Sequence, residues 1–420
     1  MRWLGLLTLV IAGAAGLLWA AEPKEAAEPP VKGFFVHEWG VWRLHDDLEF
    51  ANADMRAEWD GLPPFVYGQT TTRDFPRHWD KPLMTVTKPV LFFHAPNPMA
   101  AEVRVEFPTG VPAVWWPATH SPAYHGYNGD GLRKGETPTR PVKALQWTLH
   151  LKQAPRAPAR PPVFKPLDKP HWMQALREVR CDDVYAPVGE RGVGVEREKF
   201  VYYDGLLPRP KALAIKAEKT KATLKNEAKF VVYDVWVVDR RDADKPRVGR
   251  LPRLDAGDAA DVDLPVMKDA RWAEGAGEAL TAQLKDAGLN EDEAAALTKI
   301  FTADFFRSAG VTLLYRLPQE EYDRLLPLTV KPRPEKVVRV GLIQQIPYEP
   351  ELAERVARLV KQLDDDDFEK REAAQRELEK LGPVGLGYLQ RLMPKVFAPE
   401  AKRRVDELLE KIESQRILKK

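Results

Sequence analysis

The stretch at residues 85–117 constrains the fold most, because it contains three strand patterns separated by two tight turns. Residues 102–107 alternate charged and apolar side chains, which is the period-2 pattern of a strand with one buried face. Turn clusters rich in proline flank this strand on both sides. Apolar runs at residues 89–93 and 111–116 complete an antiparallel meander. The stretch therefore predicts the start of a β-sandwich or β-barrel.

Further strand patterns occur on both sides of this meander. Residues 33–44 are rich in aromatic side chains, and residues 144–151 alternate again. Residues 229–238 are almost continuously apolar, which favours a central strand buried on both faces. Short strands joined by turns are typical of all-β domains. We therefore predict a β-rich, sandwich-like domain over residues 33–347.

Two helices interrupt this β pattern at about residues 270–309. The second helix is predicted to begin at Asn290, and Glu293 three residues later forms a variant of the capping box. Apolar side chains then line one face at helical spacing: Leu297, Ile300, Phe301 and Phe305. The pattern predicts a helical insertion in the β-rich domain.

The N-terminal residues 1–21 have the layout of a secretory signal peptide. Arg2 is followed by an uncharged apolar stretch, and two alanines precede the polar spacer at residues 22–32. The expected location is periplasmic or secreted. The uncharged stretch is also close to the minimum for a membrane span, so an uncleaved anchor in the inner membrane is the alternative. Cys181 is the only cysteine, so no internal disulfide is expected and stability must come from packing.

The C-terminal residues 350–420 carry a different pattern, a series of amphipathic helices that must bury their apolar stripes on one another. Residues 363–413 combine an acidic turn, a helix containing Arg-Glu-Ala-Ala, a Gly-Pro break and a Leu-rich helix. This segment resembles HEAT-type helical repeats. The resemblance implies a stack of helix pairs that contacts a protein partner.

The remainder of the chain resembles exported bacterial proteins of unassigned function. The resemblance lies in a His-Glu-Trp-Gly motif at residues 37–40 and a Lys-Pro-Val motif at residues 88–90. It implies no particular activity. The predicted fold class is α+β and multidomain: a β-rich sandwich-like N-terminal domain with a helical insertion, followed by a short all-α HEAT-like segment.

Several common chemistries have little support in the sequence. The formal net charge of +2 gives no argument for a nucleic-acid partner. Ser121 lies in Thr-His-Ser-Pro, which is not the G-x-S-x-G elbow of serine hydrolases. Two acidic residues follow Cys181, and their charge disfavours a reactive thiolate.

Histidines offer a candidate zinc site. His94, His120 and His125 are predicted to lie on a strand end and the long loop after it, and His37 could lie nearby in a sandwich. Zinc needs three or four converging nitrogen, sulfur or oxygen ligands. The chain has no H-E-x-x-H motif, so surface or hydrogen-bonded histidines are the competing and favoured interpretation.

Two acidic runs raise the question of calcium. Residues 364–367 lack the glycine and glutamate positions of a calcium loop, and helix capping explains them better. A second run is spaced loosely in a loop: Asp255, Asp258, Asp261 and Asp263. We expect no cofactor, with zinc or calcium as the alternatives.

Aromatic side chains flank the long loop at residues 117–141, and they are candidates for stacking on a carbohydrate: Trp115, Trp116, Tyr124 and Tyr127. Aromatic residues on strands more often belong to a core, which is the favoured interpretation. The expected function is an exported, non-enzymatic scaffold or protein-binding protein that uses its C-terminal helices. The alternative is a metal-dependent or carbohydrate-active hydrolase with its site near the loop.

Overall fold

The structure is a computed structural model. It describes residues 28–45, 61–68, 83–119, 143–153, 171–188, 194–381 except 212, 243 and 309, then 385, 388–389, 392 and 398–419. The predicted signal peptide and most of the predicted loop at residues 117–141 lie outside these residues.

Nine strands form the main sheet, in an order that places strands from both ends of the domain side by side. The order is β13 (Arg247–Leu254), β12 (Val232–Arg240), β15 (Gly310–Arg316), β17 (Pro334–Ile346), β1 (Val31–His45), β3 (Leu83–His94), β9 (Val201–Pro208), β5 (Val111–Trp116) and β2 (Tyr67–Gly68). β1 pairs with β17 in parallel and with β3 in antiparallel orientation. β1 is therefore an interior strand with both of its edges hydrogen-bonded.

Two smaller sheets pack on one face of the main sheet. One contains β16 (Leu328–Lys331), β4 (Met99–Glu106), β6 (Ala144–Leu151), β7 (Val184–Val188) and β8 (Gly194–Glu198), and the other contains β10 (Leu213–Ala217), β11 (Lys221–Asn226) and β14 (Ala259–Asp263). A single apolar core joins all three sheets, with Phe34, Trp147 and Leu224 as members. Burial of this apolar surface is the main force that holds the sheets together.

Helices cover the opposite face of the main sheet. α1 (Met173–Leu176), α2 (Trp272–Asp286) and α3 (Glu291–Thr302), which continues as a π-helix (Ala303–Arg307), share a second apolar core with that face. A short helix, α4 (Gln319–Leu325), packs into the first core instead. No helix in the part of the chain described here is both long and apolar enough to cross a membrane.

The β-rich α+β class predicted from the sequence is confirmed. The strand predicted at residues 111–116 is β5, and the two helices predicted at about residues 270–309 are α2 and α3. The capping box is also confirmed, because Asn290 and Glu293 each bind the other's backbone N–H. The parallel β1–β17 pair was not predicted, and it separates this sheet from a purely antiparallel sandwich.

The resemblance to HEAT-type repeats is wrong. The C-terminal helices whose bounds the structure gives are α5 (Pro350–Gln362), α6 (Phe368–Leu381) and α7 (Pro399–Lys419), which bury one small core around Val356, Leu378 and Val405. No helical repeat is evident among the C-terminal residues that the structure describes. The acidic turn has a local cause, because the Asp365 and Asp367 carboxylates accept backbone N–H groups just before and at the start of α6.

A buried ion pair joins β1 to β17 on the face that carries the smaller sheets. The Arg339 Nε donates to Glu38 Oε2 at 2.6 Å, and both side chains are completely buried. The other carboxylate oxygen of Glu38 accepts hydrogen bonds from the Tyr203 and Tyr322 hydroxyls. Burial, followed by the charge of Glu38, raises the pKa of both tyrosines, so they stay neutral donors. The buried charge of Glu38 is thus satisfied on every side.

We expect Arg339→Leu to destabilise the protein by about 3–5 kcal/mol, because it leaves Glu38 buried without its cation. Urea unfolding followed by circular dichroism measures the loss. The matched control is Arg253→Leu, which removes an exposed partner of Asp255 and should leave the unfolding midpoint unchanged. Equal effects of the two substitutions would contradict a special role for the buried pair.

Candidate metal centre

Three potential metal ligands converge where β1, β3 and α3 meet. The pairing of β1 with β3 sets Phe35 opposite His94 and His37 opposite Phe92, so the two histidines are diagonal neighbours on one face of the sheet. That face carries the helices, and α3 brings Glu293 down onto both imidazole rings. The candidate ligand atoms of His37, His94 and Glu293 all lie within 4.8 Å of one another.

The Glu293 carboxylate uses each of its oxygens to bind a different imidazole. His37 Nδ1 lies 2.8 Å from Oε2, and His94 Nε2 lies 2.9 Å from Oε1. A carboxylate can only accept hydrogen bonds, so the ring nitrogen of each histidine that faces it carries a proton. The two rings are 5.0 Å apart between centroids and tilted by 56°. The three side chains therefore form one hydrogen-bonded group that crosses from sheet to helix.

The capping box at the start of α3 fixes the position of Glu293. The backbone N–H of Asn290 donates to Glu293 Oε2 at 2.8 Å, and Glu293 lies in the first helical turn, where the helix dipole favours negative charge. Capping accounts for Oε2 alone. It gives no reason for a histidine on a second strand to bind Oε1, so this group contains more than a helix cap.

Burial and hydrogen bonding act in opposite directions on the pKa of Glu293. Burial is the largest effect and would raise the pKa, but the hydrogen bonds from His37 and His94, the charge of His37 and the Asn290 N–H together outweigh it. The net result lowers the pKa of Glu293 from 4.5 to about 2. The group is therefore a carboxylate at neutral pH although its side chain is completely buried.

Solvent reaches the centre from the side of His94. The His94 side chain is 19% exposed, whereas those of His37 and Glu293 are 9% and 0% exposed. Asn290 is exposed and places its side-chain nitrogen 3.4 Å from His94 Nε2. The centre is a buried donor set with one edge open to water.

Of the three histidines proposed from the sequence as a zinc site, the structure places only His94 in this centre. His120 and His125 lie outside the described residues. His37, considered only as a neighbour, is a full member. Glu293 was recognised as a capping residue, and its convergence with two strands more than 190 residues away carries no local sequence signal.

The two tryptophans proposed as a stacking surface belong to the core. Trp115 and Trp116 are 1% and 2% exposed, so neither offers a free ring face for stacking on a carbohydrate. The Trp116 indole donates to the buried Glu198 carboxylate at 3.2 Å, and Tyr67 stacks on its ring. Tyr124 and Tyr127 lie outside the described residues.

Two of the four loop aspartates considered for calcium are engaged in ion pairs. Asp255 pairs with Arg253, and Asp261 pairs with Lys221 and accepts from Thr223. Within the described ranges, His37, His94 and Glu293 are the one group whose ligand atoms converge. Cys181 is also unsuited to nucleophilic chemistry, because burial raises the pKa of its thiol to about 12.

Comparisons with known proteins assign this chain to no family. No family model and no curated protein matches the chain, so the resemblance of its N-terminal part to exported bacterial proteins is also not supported. A solved structure of the yeast delta-COP-I mu-homology domain complexed with a Dsl1 WxWxV peptide aligns with 76% of this chain and 98% of that chain. The identity is 6% and the TM-score 0.25, which is too low to carry an argument about fold or function.

We expect Glu293 to make stability depend on pH in acid. Its pKa is lower in the folded protein than when unfolded, so its contribution is complete above pH 4.5 and is lost as the pH falls towards about 2. The contribution is about 3 kcal/mol. Urea unfolding of the wild type and Glu293→Gln between pH 7 and pH 3 isolates it, because both proteins share every other carboxylate. Parallel pH profiles for the two proteins would contradict the lowered pKa.

Proposed function

We propose that this protein binds a divalent transition-metal ion, with zinc as the best fit, through His37, His94 and Glu293. The observation that carries the proposal is the convergence of two imidazole nitrogens and a carboxylate within 4.8 Å at a buried position. Two histidines and one carboxylate are a ligand set that zinc takes in proteins. The same set disfavours calcium, which prefers six to eight oxygen ligands.

The hydrogen bonds of the group support this assignment. An ion that replaces the two imidazole protons would take the same nitrogen atoms and Oε1 of the carboxylate. Oε2 can keep its bond to the Asn290 N–H, so metal binding leaves the helix cap intact. The fold already holds the three donor side chains together and keeps the buried Glu293 carboxylate charged.

Three protein ligands favour a reactive site over a purely structural one. Structural zinc sites are closed by four protein ligands, whereas three leave a position for water, whose pKa the ion lowers to about 7. The open edge at His94 gives water and a substrate access to that position. The reaction class that follows is metal-dependent hydrolysis, with the site at the start of α3.

A scaffold role is not proposed, because it depended on a helical repeat that is not evident among the described C-terminal residues. Export remains part of the proposal, and it is supported by the leader at residues 1–21, in which Arg2 precedes an apolar, uncharged stretch. A periplasmic or secreted location would require the protein to take up its ion outside the cytoplasm.

Metal titration tests the proposed centre. Tag-free protein, stripped with chelator, should bind one Zn²⁺ per chain in a competition assay with a chromogenic chelator. Each of three substitutions removes one of the three protein ligands: His94→Ala, His37→Ala and Glu293→Gln. Each should therefore weaken Zn²⁺ binding by at least about 100-fold. Zn²⁺ should also raise the melting temperature of the wild type but not of these variants.

His150→Ala is the matched control. It removes a histidine from β6, in the five-stranded sheet, and should bind Zn²⁺ as the wild type does. Binding that survives loss of His94 and Glu293, or that disappears equally in the control, would rule out the assigned centre.

The leader is tested by expressing the full chain in a bacterium and fractionating the cells. We expect a periplasmic product whose intact mass lacks residues 1–21, because the two alanines at positions 20 and 21 suit signal peptidase. A full-length product in the membrane fraction would favour the uncleaved anchor.

A further inference from the structure

A short segment that leads into β7, residues 178–183, contacts both elements that carry the ligands of the centre. The segment, which we call the strap, runs past the end of β3 and the first turn of α3. Neither of its contacts involves a ligand side chain. They hold the residues next to the ligands instead.

On the β3 side, Asp182 binds the residues before and after His94. Its backbone N–H donates to the Phe93 carbonyl at 2.9 Å, and its Oδ2 accepts the Ala95 N–H at 2.5 Å. These two hydrogen bonds, which we call the Asp182 clamp, hold the backbone on both sides of His94, the partly exposed ligand. The Asp182 side chain is 14% exposed, and Lys152 Nζ lies 3.5 Å from its other oxygen.

On the α3 side, Arg180 binds the residue that precedes Glu293. Its guanidinium makes two hydrogen bonds to the Asp292 carboxylate, one of them from Nη2 at 3.0 Å, and its backbone N–H contacts the same carboxylate. A second ion pair between Glu178 and Lys299 lies further along the helix, with a distance of 2.9 Å. The strap therefore ties the end of β3 to the start of α3.

We propose that Asp182 is a positioning residue for the metal centre, and this rests on the proposed function. β3 ends at His94, so the strand ladder no longer holds the chain beyond it, and Ala95 leads into a turn. The Asp182 clamp supplies the missing restraint on both sides of the ligand. Because a metal ion tolerates only small displacements of its ligands, groups that orient a ligand without touching the ion contribute to affinity.

The contribution depends on hydrogen bonding and not on charge. An asparagine at position 182 keeps a side-chain oxygen that can accept the Ala95 N–H, and it removes the negative charge. A glutamate keeps the charge and moves the oxygens by one methylene. The two substitutions therefore separate positioning from electrostatic attraction of the ion.

The test is Zn²⁺ affinity by chelator competition, together with the visible spectrum of the Co²⁺-loaded protein. Asp182→Ala should lower Zn²⁺ affinity about 10- to 100-fold and change the Co²⁺ spectrum, since the spectrum reports ligand geometry. Asp182→Asn should stay close to the wild type in both measurements. Asp182→Glu should weaken binding although its charge is unchanged.

Asp183→Ala is the matched control, because it removes the same charge from the next position of the strap. Asp183 pairs with Arg197 at 2.8 Å and makes no side-chain contact with the neighbours of His94 among the described residues. It should bind Zn²⁺ and Co²⁺ as the wild type does. If Asp182→Ala does not fold, the contrast between the asparagine and glutamate variants decides the question.

Two results would overturn the proposal separately from the centre itself. Wild-type affinity in Asp182→Ala would show that His94 needs no clamp, while the metal centre would stand. Equal losses in the asparagine and alanine variants would assign the effect to charge. Absence of Zn²⁺ binding by the wild type would overturn both the centre and the clamp.

Discussion

A buried carboxylate must have its charge satisfied, and two of the buried carboxylates meet at adjacent positions of one strand, because Glu38 belongs to β1 and Glu293 binds its neighbour His37. β1 lies in the interior of the main sheet, so its successive side chains point into two different cores. Glu38 faces the smaller sheets and binds Arg339 and two tyrosines. His37 faces the helices and binds Glu293. The strand thus connects one ion pair that joins two strands of the main sheet to one polar group that holds a helix.

The two polar groups differ in whether their atoms remain available to bind a ligand. The group around Glu38 is closed, because its partners are buried and its donors are a guanidinium and two neutral hydroxyls. The group around Glu293 is built from imidazoles, which can exchange a proton for a metal ion at the same nitrogen atom. It also has one edge in contact with solvent. The first arrangement suits stability alone, and the second suits a ligand that enters and leaves.

The sequence predicted the features that local pattern determines. Alternation at residues 102–107 identified β4, an apolar run identified β5, and the capping box placed the start of α3 at Asn290. It could not show that β17 lies beside β1, because about 300 residues separate the paired positions and the apolar pattern of each strand fits many partners. The same limit hid the centre, in which His37 and Glu293 are 256 residues apart. The HEAT assignment failed because an acidic turn, a Gly-Pro break and a Leu-rich helix are features that many unrelated helical segments share.

X-ray absorption spectroscopy of the Zn²⁺-loaded wild-type protein tests the metal centre, because it reports the atoms bound to the ion. We expect two nitrogens at about 2.0–2.1 Å and one or two oxygens at about 2.0–2.2 Å, with the outer scattering of two imidazole rings. A shell of oxygens alone, or one without imidazole scattering, would contradict the assignment of His37 and His94 as ligands.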